Sequence, residues 1–174
     1  MKRIWYLVTP FVAVVVPAQH SFAEPTTFTA SLSGAAQSPK SASAGTGLAT
    51  VIVDPAAHTL QISISFTGLQ SKTTASHIHC LCTAPPGAEV TNAATQLPTF
   101  AGFPLDVTSG TYSNTLDTTL LTTFSPSFLA ATGGTAASAE AALIAGMLAG
   151  TAYLNIHTDQ SPRGEIRGFL RRAP

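Results

Sequence analysis

The octet Leu60-Gln61-Ile62-Ser63-Ile64-Ser65-Phe66-Thr67 constrains this chain more than any other segment. Large apolar residues alternate with polar ones without a break, the period of a strand with one face buried and one face in water. Leu48 to Val53, just upstream, is apolar and β-branched, and Asp54-Pro55-Ala56-Ala57 supplies a turn between the two runs. The pair reads as an antiparallel hairpin, and a lone hairpin cannot bury its apolar face. Thr26 to Leu32, Ala75 to Cys80, Leu105 to Val107, Thr111 to Leu116, Ala152 to His157 and Ile166 to Leu170 supply further strands. With about eight short strands split by Gly, Pro and Asn, the expected fold is mainly all-β, an antiparallel Greek-key β-sandwich.

Two segments in the C-terminal third depart from the strand period. Ser125-Pro126 opens a short predicted helix running through Phe128 to Ala131, and the Ala-rich stretch Thr135 to Ala149 carries Leu143, Met147 and Leu148 at helical spacing. The longer helix is expected across the mouth or edge of the sandwich. Gly34 to Gly45 reads as a polar loop, and Pro85 to Pro104 as a long loop-like insertion. With no internal repeat and no linker, residues 24–174 form one domain.

Residues 1–23 read as a secretory signal peptide. Lys2 and Arg3 precede the nearly unbroken apolar run Ile4 to Val16, and Ser21-Phe22-Ala23 offers small residues for cleavage. Pro10 and Pro17 interrupt a run shorter than the ~20 apolar residues of a membrane span. The mature protein is therefore expected in the periplasm or outside the cell, with no stable membrane anchor after cleavage. The full chain balances eight basic against eight acidic residues, so removal of Lys2 and Arg3 leaves a formal charge of −2. Only 9% of residues are charged, which argues against nucleic acid as a partner.

His58, His77, His79 and His157 are the histidines beyond the leader. In Ser76-His77-Ile78-His79 the strand period puts both imidazoles on one face and Ile78 on the other. In Tyr153-Leu154-Asn155-Ile156-His157 the same period sends Leu154 and Ile156 inward and leaves Tyr153, Asn155 and His157 opposite, so His157 is a candidate third ligand if the two strands are neighbours. Neutral imidazole suits copper and zinc, and its ligation is expected to weaken below about pH 6. The competing reading is a set of hydrogen-bonded surface histidines. His58 follows a turn and reads as an exposed loop residue. Alternation turns Cys80 away from His79; a ring closed between Cys80 and Cys82 would be tight, yet in an oxidising compartment both are expected to be oxidised, paired with each other if the chain curls there or bridging two molecules.

All four arginines beyond the leader fall between Arg163 and Arg172. Glu165 and Arg167 flank Ile166 and are expected to form an ion pair on one strand face, with Ile166, Gly168 and Leu170 turned inward. Asp54, Asp106, Asp117 and Asp159 stand near turns, where capping accounts for them. No nucleophile elbow, phosphate-cradling glycine loop or H-E-x-x-H helix is present, so no catalytic residue is assigned and the chain reads as a non-enzyme.

Phe28-Thr29-Ala30-Ser31-Leu32-Ser33-Gly34, the hairpin from Gly45 to Leu69, Ser76-His77-Ile78-His79, and Ala152-Tyr153-Leu154-Asn155-Ile156-His157-Thr158 with Pro162-Arg163-Gly164-Glu165-Ile166-Arg167-Gly168 together resemble the CHRD domain, named after chordin. The resemblance covers nearly all of residues 24–174 and implies an exported β-sandwich module of the stand-alone bacterial kind. Cys80-Leu81-Cys82 departs from the simpler glycine-containing turn of many members. A looser similarity to copper-zinc superoxide dismutase lies in the H-x-H strand and the late histidine, but four histidines are too few for that enzyme's two-metal centre.

The sequence thus points to an exported binding module that holds one transition metal, copper favoured and zinc the alternative, through His77, His79 and His157. A metal-free module contacting a secreted or surface protein through its polar sheet face and the Pro85 to Pro104 loop is the rival. A mononuclear redox enzyme is the third reading.

Overall fold

A computed structural model describes residues 24–174; the signal-peptide reading of residues 1–23 lies outside the described residues. Eight strands, β1 (Thr26–Ser33), β2 (Thr46–Asp54), β3 (Thr59–Thr67), β4 (Thr73–Cys80), β5 (Gly110–Asp117), β6 (Ala152–Thr158), β7 (Ile166–Phe169) and β8 (Arg171–Arg172), are joined by α1 (Pro126–Ala131) and α2 (Ala136–Leu148) before β6. All pairings are antiparallel, in the order β4-β6-β7-β1-β2-β3-β5, with β8 also on β1. The all-β class and the two C-terminal helices are as the sequence predicts, and the facing layers come from one sheet curled into a half-barrel.

The hairpin forms as its period dictates. Leu60, Ile62, Ile64 and Phe66 are buried against Val51, Val53 and Phe28, while Gln61, Ser63 and Ser65 face outward. Each large side chain so buried contributes about 1.5–3 kcal/mol. The turn is fixed by Asp54, whose Oδ1 accepts hydrogen bonds from the amides of Ala56 and Ala57 at 3.0 Å each.

Ser125 caps α1 by accepting from the amide of Phe128, and Thr135 and Ser138 form a reciprocal capping box on α2. Helix α2 buries Ala139, Leu143, Gly146 and Met147 and packs on the turn that follows β4. Cys80 and Cys82 are joined by a disulfide across that turn. Gly146 lies against it so closely that a Cβ there would sit 2.1 Å from Cys80 Sγ.

The segment from Pro85 to Pro104 is without regular secondary structure, as the sequence predicts, but it is not a detached loop. Ala94, Phe100 and Phe103 belong to the core, and Phe100 and Phe103 pack on Tyr112 with ring centroids 5.7 Å apart in each case. Leu105 to Val107 does not form a regular strand, yet its backbone still bonds β4: Asp106 N donates to Thr73 O and Thr73 N to Val107 O, both at 2.9 Å. Since β4 ends the sheet, its outer edge would otherwise expose unpaired backbone groups. The segment covers that edge partly with main chain, Ala94 N to Ile78 O at 2.8 Å, and partly with hydroxyls, Thr95 Oγ1 accepting from Ile78 N at 3.0 Å and Thr99 Oγ1 from Ser76 N at 2.9 Å.

Thr95 is fully buried, so its hydroxyl is the sole side-chain partner of an amide that water cannot reach. Thr95→Val keeps the shape and removes the acceptor; it should lower stability by about 1–3 kcal/mol, measured by urea unfolding. A midpoint unchanged from wild type would show that the hydroxyl is not what holds the edge.

Candidate metal centre

Strands β4 and β6 are direct neighbours, the condition on which the three-histidine reading depended. Ala75 faces His157, His77 faces Asn155 and His79 faces Tyr153. His157 is thus diagonal to His77, within reach of a long side chain on the same face. Ring centroids are 5.1 Å apart for His77 and His157, and 5.8 Å for His79 with either of the others. One nitrogen from each ring lies within 4.8 Å of the other two.

One nitrogen of every ring is fixed by a main-chain carbonyl. His77 Nε2 meets Pro98 O at 2.7 Å, His79 Nδ1 meets Thr91 O at 2.9 Å, and His157 Nδ1 meets Pro162 O at 3.1 Å. A carbonyl oxygen only accepts, so each of these nitrogens carries the proton and each neutral ring presents its other nitrogen as a bare lone pair. Those bare atoms are His77 Nδ1, His79 Nε2 and His157 Nε2. His77 Nδ1 and His157 Nε2 face each other at 3.2 Å, and His79 Nε2 is buried without any hydrogen-bond partner. Buried polar atoms are rarely left so. Imidazoles oriented through their far N–H toward a carbonyl are the usual arrangement behind a metal ligand.

Burial holds the rings neutral. It is the main cause lowering His77 to about 4, with His157 nearby acting in the same sense and the Pro98 carbonyl opposing. His79 is likewise lowered to about 4, chiefly by burial, against the Thr91 carbonyl. His157 is lowered by burial against the Pro162 carbonyl.

The neighbouring polar face is packed around these rings. Tyr153 stacks on His79 with centroids 4.8 Å apart and planes 2° from parallel, and the Arg167 guanidinium lies 4.8 Å from the Tyr153 ring centre. The expected Glu165–Arg167 ion pair does not form. Glu165 precedes β7 in a bend, where strand alternation does not apply, and turns inward to accept from Ser43 Oγ and Gln70 N at 2.6 Å each and Thr158 Oγ1 at 2.7 Å. Its burial pushes the carboxyl up, but the hydrogen bonds from Ser43, Gln70, Thr158 and Ser71 together outweigh this and hold it below the usual range. Arg167 instead donates to Ala36 O and to Glu89 O. His58, half-exposed as a loop residue should be, bonds Glu140 on α2 at 2.8 Å, away from the cluster. Cys80 is buried in the core, also apart from it.

Sequence reasoning missed Thr91, Pro98 and Pro162. They act through main-chain carbonyls, which leave no mark in residue chemistry. It missed the tie made by Asn155 as well, which accepts from Gln37 Nε2 at 2.7 Å and donates to Arg163 O at 3.2 Å, anchoring the loop that holds His157.

The sequence profile of the CHRD domain matches residues 28–170, from within β1 to the last core residue, Leu170. The chain belongs to the CHRD domain family. Members are binding-type modules, typically extracellular, and among the described residues of this CHRD protein no helix is long and apolar enough to cross a membrane. No curated protein and no solved structure matches it.

Between pH 6.5 and 5 the unfolded CHRD chain takes up protons at His77 and His79 that the folded chain refuses, because the folded values lie near 4. Without metal, stability should therefore fall as pH falls through that window, before the carboxylates titrate. Melting in chelator should drop on the order of 5 °C, and a His77→Asn/His79→Asn variant should show a flatter profile. Equal slopes for the two proteins would remove the histidines as the cause.

Proposed function

We propose that this CHRD protein is an exported binding module that holds one transition ion, copper in preference to zinc, through His77 Nδ1, His79 Nε2 and His157 Nε2. The observation that carries the reading is three imidazoles that each offer a nitrogen within 4.8 Å of the others, beside a His79 Nε2 that is buried with no partner at all. Nitrogens bound about 2.0–2.1 Å from one ion stand roughly 3.3 Å apart in a tetrahedral site, and the His77–His157 pair is already at 3.2 Å. An ion between them would remove the repulsion of facing lone pairs and satisfy the orphaned atom of His79. Copper and zinc both suit imidazole, and copper stands higher in the general affinity order. The dearth of nucleophiles and acid–base pairs around the cluster favours holding or delivering the ion over turnover.

The metal-free rival would use the segment from Pro85 to Pro104, which is tied to β4 by main-chain hydrogen bonds and gives Ala94, Phe100 and Phe103 to the core, so its exposed residues, Val90 and Leu97 among them, are presented on an anchored backbone.

Purified protein titrated with Cu(II) at neutral pH should take up one equivalent, and His77→Ala/His157→Ala should lower the affinity at least ~100-fold. Uptake should persist below pH 6, lower than free imidazoles would allow, and fail as pH nears 4, where His77 and His79 become protonated. Unchanged copper affinity in the double variant would sink the proposal.

A further inference from the structure

His77, His79 and His157 line an open cleft of about 760 Å³. Its walls carry an uneven chemistry. Arg163 lines it, exposed and with no side-chain hydrogen bond or ion pair among the described residues. Val90 and Leu97, 54% and 56% exposed, line the same cleft. No carboxylate lines the cleft. Glu89, an acidic residue close by, is engaged by the hydroxyl of Ser38 and points its main-chain carbonyl at Arg167.

Charge decides what such a cleft accepts. Three neutral imidazoles leave a divalent ion with its full charge, and three protein ligands leave a coordination position for an outside group. An outside group would reach it from the cleft that the three histidines line. The ion and the free guanidinium of Arg163 together demand an anion. The exposed Val90 and Leu97 favour one with an apolar substituent.

We infer that the loaded centre takes an organic carboxylate from outside, its oxygens shared between the metal and Arg163 and its apolar tail against Val90 and Leu97. This rests on the metal reading above. The carboxylate could be that of a free short-chain acid or the C-terminus of a peptide, since both offer the same group.

The test loads the full mature protein with Cu(II), first confirming one equivalent bound, and then adds acetate, hexanoate, hexanamide or a tripeptide ending in leucine with a free carboxylate. Hexanoate or the tripeptide should shift the copper absorption band and bind about tenfold tighter than acetate, with hexanamide inert; the tighter of the two identifies the source. Arg163→Ala should weaken carboxylate binding about tenfold with copper affinity unchanged, and Val90→Ser should erase the advantage of hexanoate over acetate while leaving acetate binding intact. Loading without any band shift, or binding indifferent to Arg163→Ala, overturns this inference alone. Failure to load copper overturns the metal reading and this inference with it.

Discussion

The register between β4 and β6 is the constraint on which the rest of the site depends. Because side chains alternate with a period of two, a slip by one residue would send His157 into the core and bring Ile156 to the cleft. The apolar residues of both strands forbid that slip. Ile78, Leu154 and Ile156 are fully buried on the inner face, so the same burial that stabilises the sheet fixes which residues share the outer one. Position in the sheet adds to this. As the last strand of the path, β4 has a free edge, and the chain from Ala93 to Val107 returns to cover it. In doing so it brings the carbonyls of Thr91 and Pro98 to the histidine rings.

This chain has few charged groups and places several of them inside. Glu165 is fully buried, Arg167 and Glu140 nearly so, and each has its polar atoms engaged: Glu165 by hydroxyls and an amide, Arg167 by carbonyls and aromatic faces, Glu140 by Thr118 and His58. Glu165 alone joins the β1–β2 loop, the β3–β4 loop and the end of β6. Against that background the histidine cluster stands apart: His79 Nε2 is buried with no partner, and His77 Nδ1 meets only the equally bare Nε2 of His157.

How much of this was legible in the sequence follows from which interactions are local. Alternation in Leu60 to Thr67 is a property of adjacent residues, so the hairpin and the sidedness of His77, His79, Tyr153 and Asn155 could be read directly. Ser125-Pro126 and Thr135 to Ala149 announced helices for the same reason. Strand order is not local, and the adjacency of β4 and β6 bridges dozens of intervening residues. The Glu165–Arg167 pairing failed because alternation was extended one residue beyond the strand into a bend. Phe100 and Phe103 sit among prolines and glycine in a stretch with no period, so their burial against Tyr112 left no pattern to read. The carbonyls that orient the rings are invisible in principle, since every residue has one.

The ligand set itself restricts the ion without appeal to any relative. Calcium and magnesium are held by six or more oxygen ligands or by carboxylates with water, and no carboxylate lines this cleft. Iron–sulfur chemistry needs thiolates, and Cys80 and Cys82 are joined to each other with Cys80 buried in the core. Three imidazoles favour the later first-row ions. Since the rings are held from behind by carbonyls and not by carboxylates, their nitrogens gain little added negative charge, and an ion bound there would remain strongly electrophilic. Such a centre gains most from an outside anion, which is why the lone arginine on the cleft wall and the absence of competing acids belong to the same physical argument as the histidines.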